Sequence, residues 1–352
     1  MFDPLAPWFS AFDPVPGLGE AERIRRGLLV HREAPRPPVG LTPHRVIHRQ
    51  GPMVVRAYGE TPRADRGLPV VLIPSLINRA YILDLEPGRS MVEALAASQH
   101  ATCLVDWGVF GPEHGDVDIA TLFVWLRRAI DRVCRYFSAP KVHLFGYCQG
   151  GTLAAMFAAL HPDRVATLST LAAPVRFREG GRFRDFAAAV DVDRVAVDGL
   201  VPVEAMKPAF QMLDPMGNVS KYLAIEAAST DPKRLRQVMA RERWLEDNVP
   251  LPAAFAREFI QYGYKEDRLL AGTWQVAGTP VALARIIAPT LVVVCDNDFV
   301  CPAPAATPLA EVVRGARLVR LPVGHIGVVV GSQGPKQFYP LMSGFFREME
   351  AA

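Results

Sequence analysis

The sequence contains little of what would carry a chain into a membrane, through a secretory route or onto nucleic acid. Its five cysteines, at positions 103, 134, 148, 295 and 301, are odd in number and form no C-x-x-C pair. That disfavours both a zinc site and a disulfide framework and suits a reducing cytoplasm. The formal charge is only +3 and the arginines are dispersed, Arg23, Arg25 and Arg26 making too short a cluster to serve as a nucleic-acid surface. The longest stretch without Asp, Glu, Lys or Arg, Val142 to Pro162, is broken by His143, Gln149 and His161, so no membrane span is expected. Met1-Phe2-Asp3-Pro4 brings an early acid and no basic region, unlike a secretory signal. Internal repeats and low-complexity segments are absent. What the chain does have is length and apolar content: 352 residues, half of them hydrophobic, can bury a large core without metals or disulfides.

Short apolar runs alternate with helical patterns. Strands are predicted at Met53 to Tyr58, Pro69 to Ile73, Thr102 to Asp106, Val142 to Phe145, Thr167 to Leu171, Thr290 to Val294 and Arg317 to Leu321. This rhythm predicts an α/β chain with a mostly parallel sheet flanked by helices. Ile119 to Phe137 has apolar residues at helical spacing, with Asp116 and Asp118 as candidate caps before it. Between about Val175 and Ala284 the strand rhythm stops. Helices and loops containing Trp244, Phe255, Phe259, Tyr262, Tyr264 and Trp274 read there as a cap over the carboxyl edge of the sheet. Each of these aromatics taken singly reads as filling the cap's own core; together they could wall a water-poor pocket. The expected division is an N-terminal segment over residues 1–43, a core over 44–174 and 285–352, and the cap insertion over 175–284.

The most informative string is Phe145-Gly146-Tyr147-Cys148-Gln149-Gly150-Gly151. It has the G-x-S-x-G form of a nucleophile elbow with a thiol in place of the hydroxyl. A lone cysteine is most often a small buried hydrophobe. Here an apolar strand, Val142 to Phe145, leads in and a strong helix former, Thr152 to Leu160, leads out, which is the context an elbow requires. Gly146 and Gly150 allow the sharp turn. The exchange of hydroxyl for thiol argues for acyl transfer over hydrolysis.

A nucleophile of this kind needs a base and an orienting acid, which in such a fold follow it on loops after late strands. Of eight histidines only His325, in Pro322-Val323-Gly324-His325-Ile326-Gly327, stands in that place. His143 and His161 flank the elbow and read as structural, while His31, His44, His48, His100 and His114 come too early. Asp296-Asn297-Asp298 offers two carboxylates, of which one can orient the imidazole; Asp296 also reads as a residue binding backbone amides in the turn. An oxyanion hole is expected from the backbone N–H of Gln149 and a second from Pro74-Ser75-Leu76-Ile77-Asn78-Arg79, with Ile77 the favoured donor.

Several separate strings, in one order, resemble the catalytic subunit of polyhydroxyalkanoate synthases, most of all the short class III type, from about His44 to the C-terminus. They are Leu76-Ile77-Asn78-Arg79-Ala80-Tyr81-Ile82-Leu83-Asp84-Leu85, Val105-Asp106-Trp107-Gly108, the Gly-x-Cys-x-Gly-Gly box at 146–151, Glu242-Arg243-Trp244 and Gly324-His325-Ile326-Gly327. The resemblance implies an α/β-hydrolase fold and a Cys148, Asp298 and His325 triad, the acid resting on a D-x-x-x-P spacing to Pro302. The family usually has His after that Asp and Val before the Pro, where this chain has Phe299 and Cys301. By resemblance the substrate is a 3-hydroxyacyl-CoA, polymerised with release of CoA through an acyl-cysteine, with no further cofactor and no metal. The short type also implies a second, non-catalytic subunit; a homodimer is compatible, and the expected location is the cytoplasm, with association with polyester granules in view. Phe2, Trp8, Phe9 and Phe12 could touch a granule or partner, but packing on the chain's own domain is the favoured reading. Two alternatives stand beside polymerisation: a thioesterase or polyester hydrolase using the same cysteine, and a granule-associated protein without activity.

Overall fold

The computed structural model describes residues 18–59 and 67–351; Phe2, Trp8, Phe9 and Phe12 lie outside them. Eight strands form the central sheet: β1 (His44–Gln50), β2 (Met53–Tyr58), β3 (Val70–Ile73), β4 (Thr102–Asp106), β5 (Val142–Tyr147), β6 (Val165–Leu171), β7 (Thr290–Cys295) and β8 (Arg317–Leu321). Their spatial order is β1-β2-β4-β3-β5-β6-β7-β8, and β2 alone runs against the rest. The α/β expectation is met, and the predicted strands all appear, several lengthened by a residue or two. β1 is an eighth strand that the sequence did not announce. It lies at the sheet edge with most of its side chains exposed, so it lacks the apolar run that betrays the others.

The inner strands are buried along their whole length: every residue of β3, β5 and β7 is inaccessible, as expected where helices cover both faces. Those helices include Met91–Ala97, Ile119–Phe137, Gln149–Leu160 and Tyr339–Ala351. Ile119–Phe137 starts at Asp118, whose carboxylate accepts from Thr121 N–H at 2.8 Å; of the two candidate caps it is the one used. The strand order reverses at β3, so the loops leaving the carboxyl ends of β3, β5, β7 and β8 converge on one edge. Register keeps two of them level: Cys295, the last residue of β7, pairs with Leu321, the last of β8.

Between β6 and β7 the chain leaves the sheet and builds a mainly helical cap, with longer helices at Val203–Leu213, Gly217–Ala228 and Pro232–Glu246. It docks on the loop after β3. Trp244 Nε1–H donates to the Arg79 carbonyl at 2.8 Å, Val249 N–H to that of Ile77 at 3.0 Å, and Tyr81 O–H to Asp247 Oδ2 at 2.9 Å. The helix Leu18–Glu33 packs on the cap, with Arg23 paired to Glu226 at 3.0 Å. The cap aromatics divide between the two roles expected of them. Trp274 is fully buried, donates to Glu258 at 3.2 Å and packs against Phe177, whereas Trp244, Phe255, Phe259 and Tyr264 face a cavity.

The C-terminal helix is tied to the sheet by histidines. His143 Nδ1 meets Thr167 Oγ1 at 2.9 Å and its Nε2 meets Glu350 at 3.1 Å; His100 Nε2 meets Ser343 Oγ at 3.0 Å. Burial, acting against the nearby Glu350 carboxylate, holds the pKa of both rings below the ordinary histidine value. At these two positions the unfolded chain binds more protons than the native one in mild acid, so their contribution to stability should fall as pH drops below about 6.5. Urea unfolding at pH 7.5 and 5.5 checks this: the midpoint is expected to be lower at pH 5.5, and the drop to be smaller in a His143→Gln variant.

Candidate active site

Cys148 follows directly on the last residue of β5 and precedes the helix Gln149–Leu160. Its backbone takes φ 57° and ψ −129°, a strained conformation for a residue with a side chain. Three hydrogen bonds hold it there: its N–H donates to Leu171 O at 2.9 Å, and its carbonyl accepts from Gly151 N at 2.8 Å and Thr152 N at 3.2 Å. The flanking glycines are required by contact. A Cβ on Gly150 would stand 2.2 Å from the Ile73 carbonyl oxygen, and one on Gly146 would stand 2.4 Å from Gly151 Cα. The half-buried sulfur is thus presented at the positive end of the helix dipole.

The loops after β7 and β8 bring a carboxylate and an imidazole to it. His325 Nδ1 lies 2.6 Å from Asp298 Oδ2, and the ring and the Cys148 sulfur line the same cavity, near enough for the sulfur to bear on the charge of the imidazole. With Nδ1 given to the carboxylate, Nε2 is the nitrogen left for sulfur. The second Asp298 oxygen accepts from Val300 N and Cys301 N, both at 2.8 Å, so this fully buried carboxylate has a donor at each oxygen. Asp296 goes elsewhere: it is exposed and pairs with Arg320 at 2.6 Å. Of the two carboxylates left open by sequence, Asp298 is the one that meets the imidazole. Burial alone would lower the His325 pKa, but the Asp298 charge, the nearby Cys148 sulfur and the hydrogen bond to Asp298 outweigh it. The ring therefore holds its proton well above the ordinary histidine range.

The loop after β3 faces the sulfur from the other side. Gln149 is the first residue of its helix, so its N–H has no preceding turn to donate to. Its side chain reaches across and accepts from Leu76 N–H at 3.0 Å. Ile77 lines the same cavity, with its N–H donated to Ser75 Oγ at 3.2 Å. Trp107, from one of the strings above, braces this loop by donating Nε1–H to the Pro74 carbonyl at 2.9 Å. The string was visible in the sequence, but not what the indole would hold. Tyr147 was passed over in the sequence; its hydroxyl donates to the His325 carbonyl at 2.9 Å.

A cavity of about 900 Å³ opens over Cys148, Gln149 and His325. Its cap-side wall carries an apolar patch of Phe183, Phe210, Phe255, Phe259, Ile260 and Tyr264, and charged residues as well, among them Lys207, Arg234, Arg241 and Glu242. Among the described residues, no group of three or more His, Cys, Asp or Glu is placed to hold a metal ion. The arrangement can generate a thiolate, hold the resulting imidazolium and confine an acyl chain away from water.

The pattern of the family described as "alpha/beta hydrolase fold" matches residues 69–332, well over half of the chain. The chain belongs to the α/β-hydrolase fold family. Residues 37–95 of this α/β-hydrolase also match the "Poly-beta-hydroxybutyrate polymerase (PhaC) N-terminus". A poly(3-hydroxyalkanoate) polymerase subunit PhaC from Haloferax mediterranei is 30% identical over 321 residues, covering 88% of this chain and 65% of that protein. Its counterpart from Allochromatium vinosum is 29% identical over 321 residues, covering 88% and 89%. The resemblance drawn from the motifs therefore extends over most of the α/β-hydrolase chain. A hydrolase from Pseudomonas aeruginosa shares the fold with TM-score 0.56 at 17% identity, over 88% of this chain and 99% of that one. A Thermogutta terrifontis esterase does so with TM-score 0.53 at 18% identity, over 88% and 100%.

The two carboxylates can be told apart chemically. Asp298→Asn is expected to slow alkylation of Cys148 by iodoacetamide at pH 7 at least tenfold, because the imidazolium that stabilises the thiolate loses its counter-charge. Asp296→Asn should leave the rate within about twofold, since an exposed ion pair contributes little. Mass spectrometry of the Cys148 peptide measures both, and the reverse ranking would move the acid to Asp296.

Proposed function

We propose that this chain is a polyester synthase, an acyltransferase that polymerises 3-hydroxyacyl-CoA with release of CoA. The observation that carries the reading is the His325–Asp298 hydrogen bond beside the strained Cys148 in a mostly apolar cavity, in a protein whose relatives are named poly(3-hydroxyalkanoate) polymerases. In this reading His325 takes the Cys148 proton and the thiolate attacks the thioester carbonyl. The developing oxyanion is met by the Gln149 N–H, with Ile77 N–H as its second donor once released from Ser75. CoA leaves as a thiol with the proton returned by His325, and the acyl group remains on sulfur.

The thiol explains why the product is a polymer. Exchange of one thioester for another is nearly isoenergetic, so acyl-Cys148 keeps the activation of the substrate. Attack by a 3-hydroxyl group then forms an oxygen ester downhill, with the proton passing to His325 or Asp298. A serine ester would have dissipated that driving force before elongation. Water competes for the same acyl group, and the aromatic cap wall limits its access.

We further propose, from the resemblance to short synthases and from relatives named as polymerase subunits, that this chain works with a second, non-catalytic subunit at polyester granules in the cytoplasm. Among the described residues no helix is long and apolar enough to cross a membrane. Purified protein incubated with 3-hydroxybutyryl-CoA, with and without a candidate partner subunit, tests the whole reading. Free thiol and insoluble polyester are expected together, both abolished by Cys148→Ala and nearly so by His325→Ala. Thiol release with soluble hydroxyacid would mark a hydrolase instead, and neither product in any combination would mark an inactive homologue.

A further inference from the structure

His325 lies in residues 322–326, a stretch without regular structure between β8 and the short helix Gly327–Val330. Asp298 holds one nitrogen of its ring, which orients the imidazole but does not locate the backbone from which it hangs. That anchor comes from Tyr147. The side chain is fully buried, its hydroxyl donates to the His325 carbonyl at 2.9 Å, and its ring lies 5.1 Å from the imidazole, inclined at 31°. Tyr147 is also the last residue of β5, immediately before Cys148. One strand end thus carries both the sulfur and the group that holds the histidine, so the distance between the two reacting side chains is referred to a single rigid element.

We propose that Tyr147 is a positioning residue: its hydroxyl fixes the backbone of His325 and thereby sets how that imidazole stands to Cys148. Nothing in an elbow requires a hydroxyl at the residue before the nucleophile; the G-x-C-x-G pattern leaves that position open. Burial, reinforced by negative charge at Cys148 and Asp298, pushes the Tyr147 pKa far above its ordinary value, so the hydroxyl remains a donor throughout the working pH range. Loss of the donor would leave the His325 carbonyl without this partner and free the loop to shift. Displacements of a fraction of an ångström suffice to weaken proton transfer.

The inference rests on Cys148 and His325 acting as a pair, and its test is independent of what is made. Alkylation of Cys148 by iodoacetamide, followed by mass spectrometry as a function of pH, reads thiolate formation directly; the other four cysteines are buried. Tyr147→Phe keeps the ring and removes only the hydroxyl. It is expected to lower the alkylation rate at pH 7 about tenfold, move the pH profile to the alkaline side, and lower kcat for CoA release about tenfold with KM within twofold. In a His325→Gln background the same change should have no further effect on alkylation, because there is no imidazole left to position. Wild-type rates in Tyr147→Phe, or an equal loss with and without His325, would overturn the proposal. The second result would also expose a general loosening of the fold, which acts in both backgrounds alike. Polymer synthesis could fail altogether while the alkylation cycle still decides the role of Tyr147.

Discussion

The site depends on one strained turn. At Cys148 the chain passes from a strand into a helix with a positive φ on a residue that bears a side chain, a conformation that costs roughly 1–3 kcal/mol and persists only when its surroundings over-determine it. Here the surroundings are the pairing of β5 with β3 and β6, the bond from Cys148 N–H to Leu171, and two glycines whose neighbours leave no room for a methyl group. The geometry is the same whether the nucleophile is oxygen or sulfur. In the proposed reaction it is the thiol that matters, because an acyl group carried on sulfur would retain the energy of the thioester from which it came.

Charge is organised around that turn from outside the strand. The β7 and β8 ends are level, so the loops that follow them place Asp298 and His325 side by side. Asp298 is saturated by two backbone N–H groups and one imidazole, which suits it to orient and to stabilise a cation. The cap adds the third ingredient. Hydrogen bonds from Trp244, Val249 and Tyr81 dock it on the loop after β3, the same loop that holds Ile77. The position of the cap and that of the loop after β3 are thereby coupled through these three hydrogen bonds.

Much of the fold was legible because it is written in local patterns. Inner strands are apolar throughout, and the helix Ile119–Phe137 carries both its periodicity and its Asp118 cap; the edge strand β1 escaped because exposure removes the apolar signal on which such a reading depends. Cys148 and His325 were legible from glycine spacing and chain order. Asp296 and Asp298 were not separable on that basis, since two residues of a turn differ in direction rather than in kind. Tyr147 and Trp107 were invisible as functional groups, because their partners, a histidine carbonyl and a proline carbonyl, are backbone atoms far away in the chain.

The chain by itself determined which chemical groups were available and in what order they come: an elbow with sulfur at its tip, two acids, then a histidine, with an aromatic stretch outside the strand rhythm between the elbow and the acids. These follow from side-chain identity and from propensities that act over a few residues. Tertiary structure decided which acid reaches the ring, which aromatics wall the cavity and what fixes the histidine. Each of those outcomes is a contact between segments that only the assembled sheet and its cap bring together, Trp244 to Arg79 across 165 residues and Tyr147 to His325 across 178. No local preference encodes such a distance.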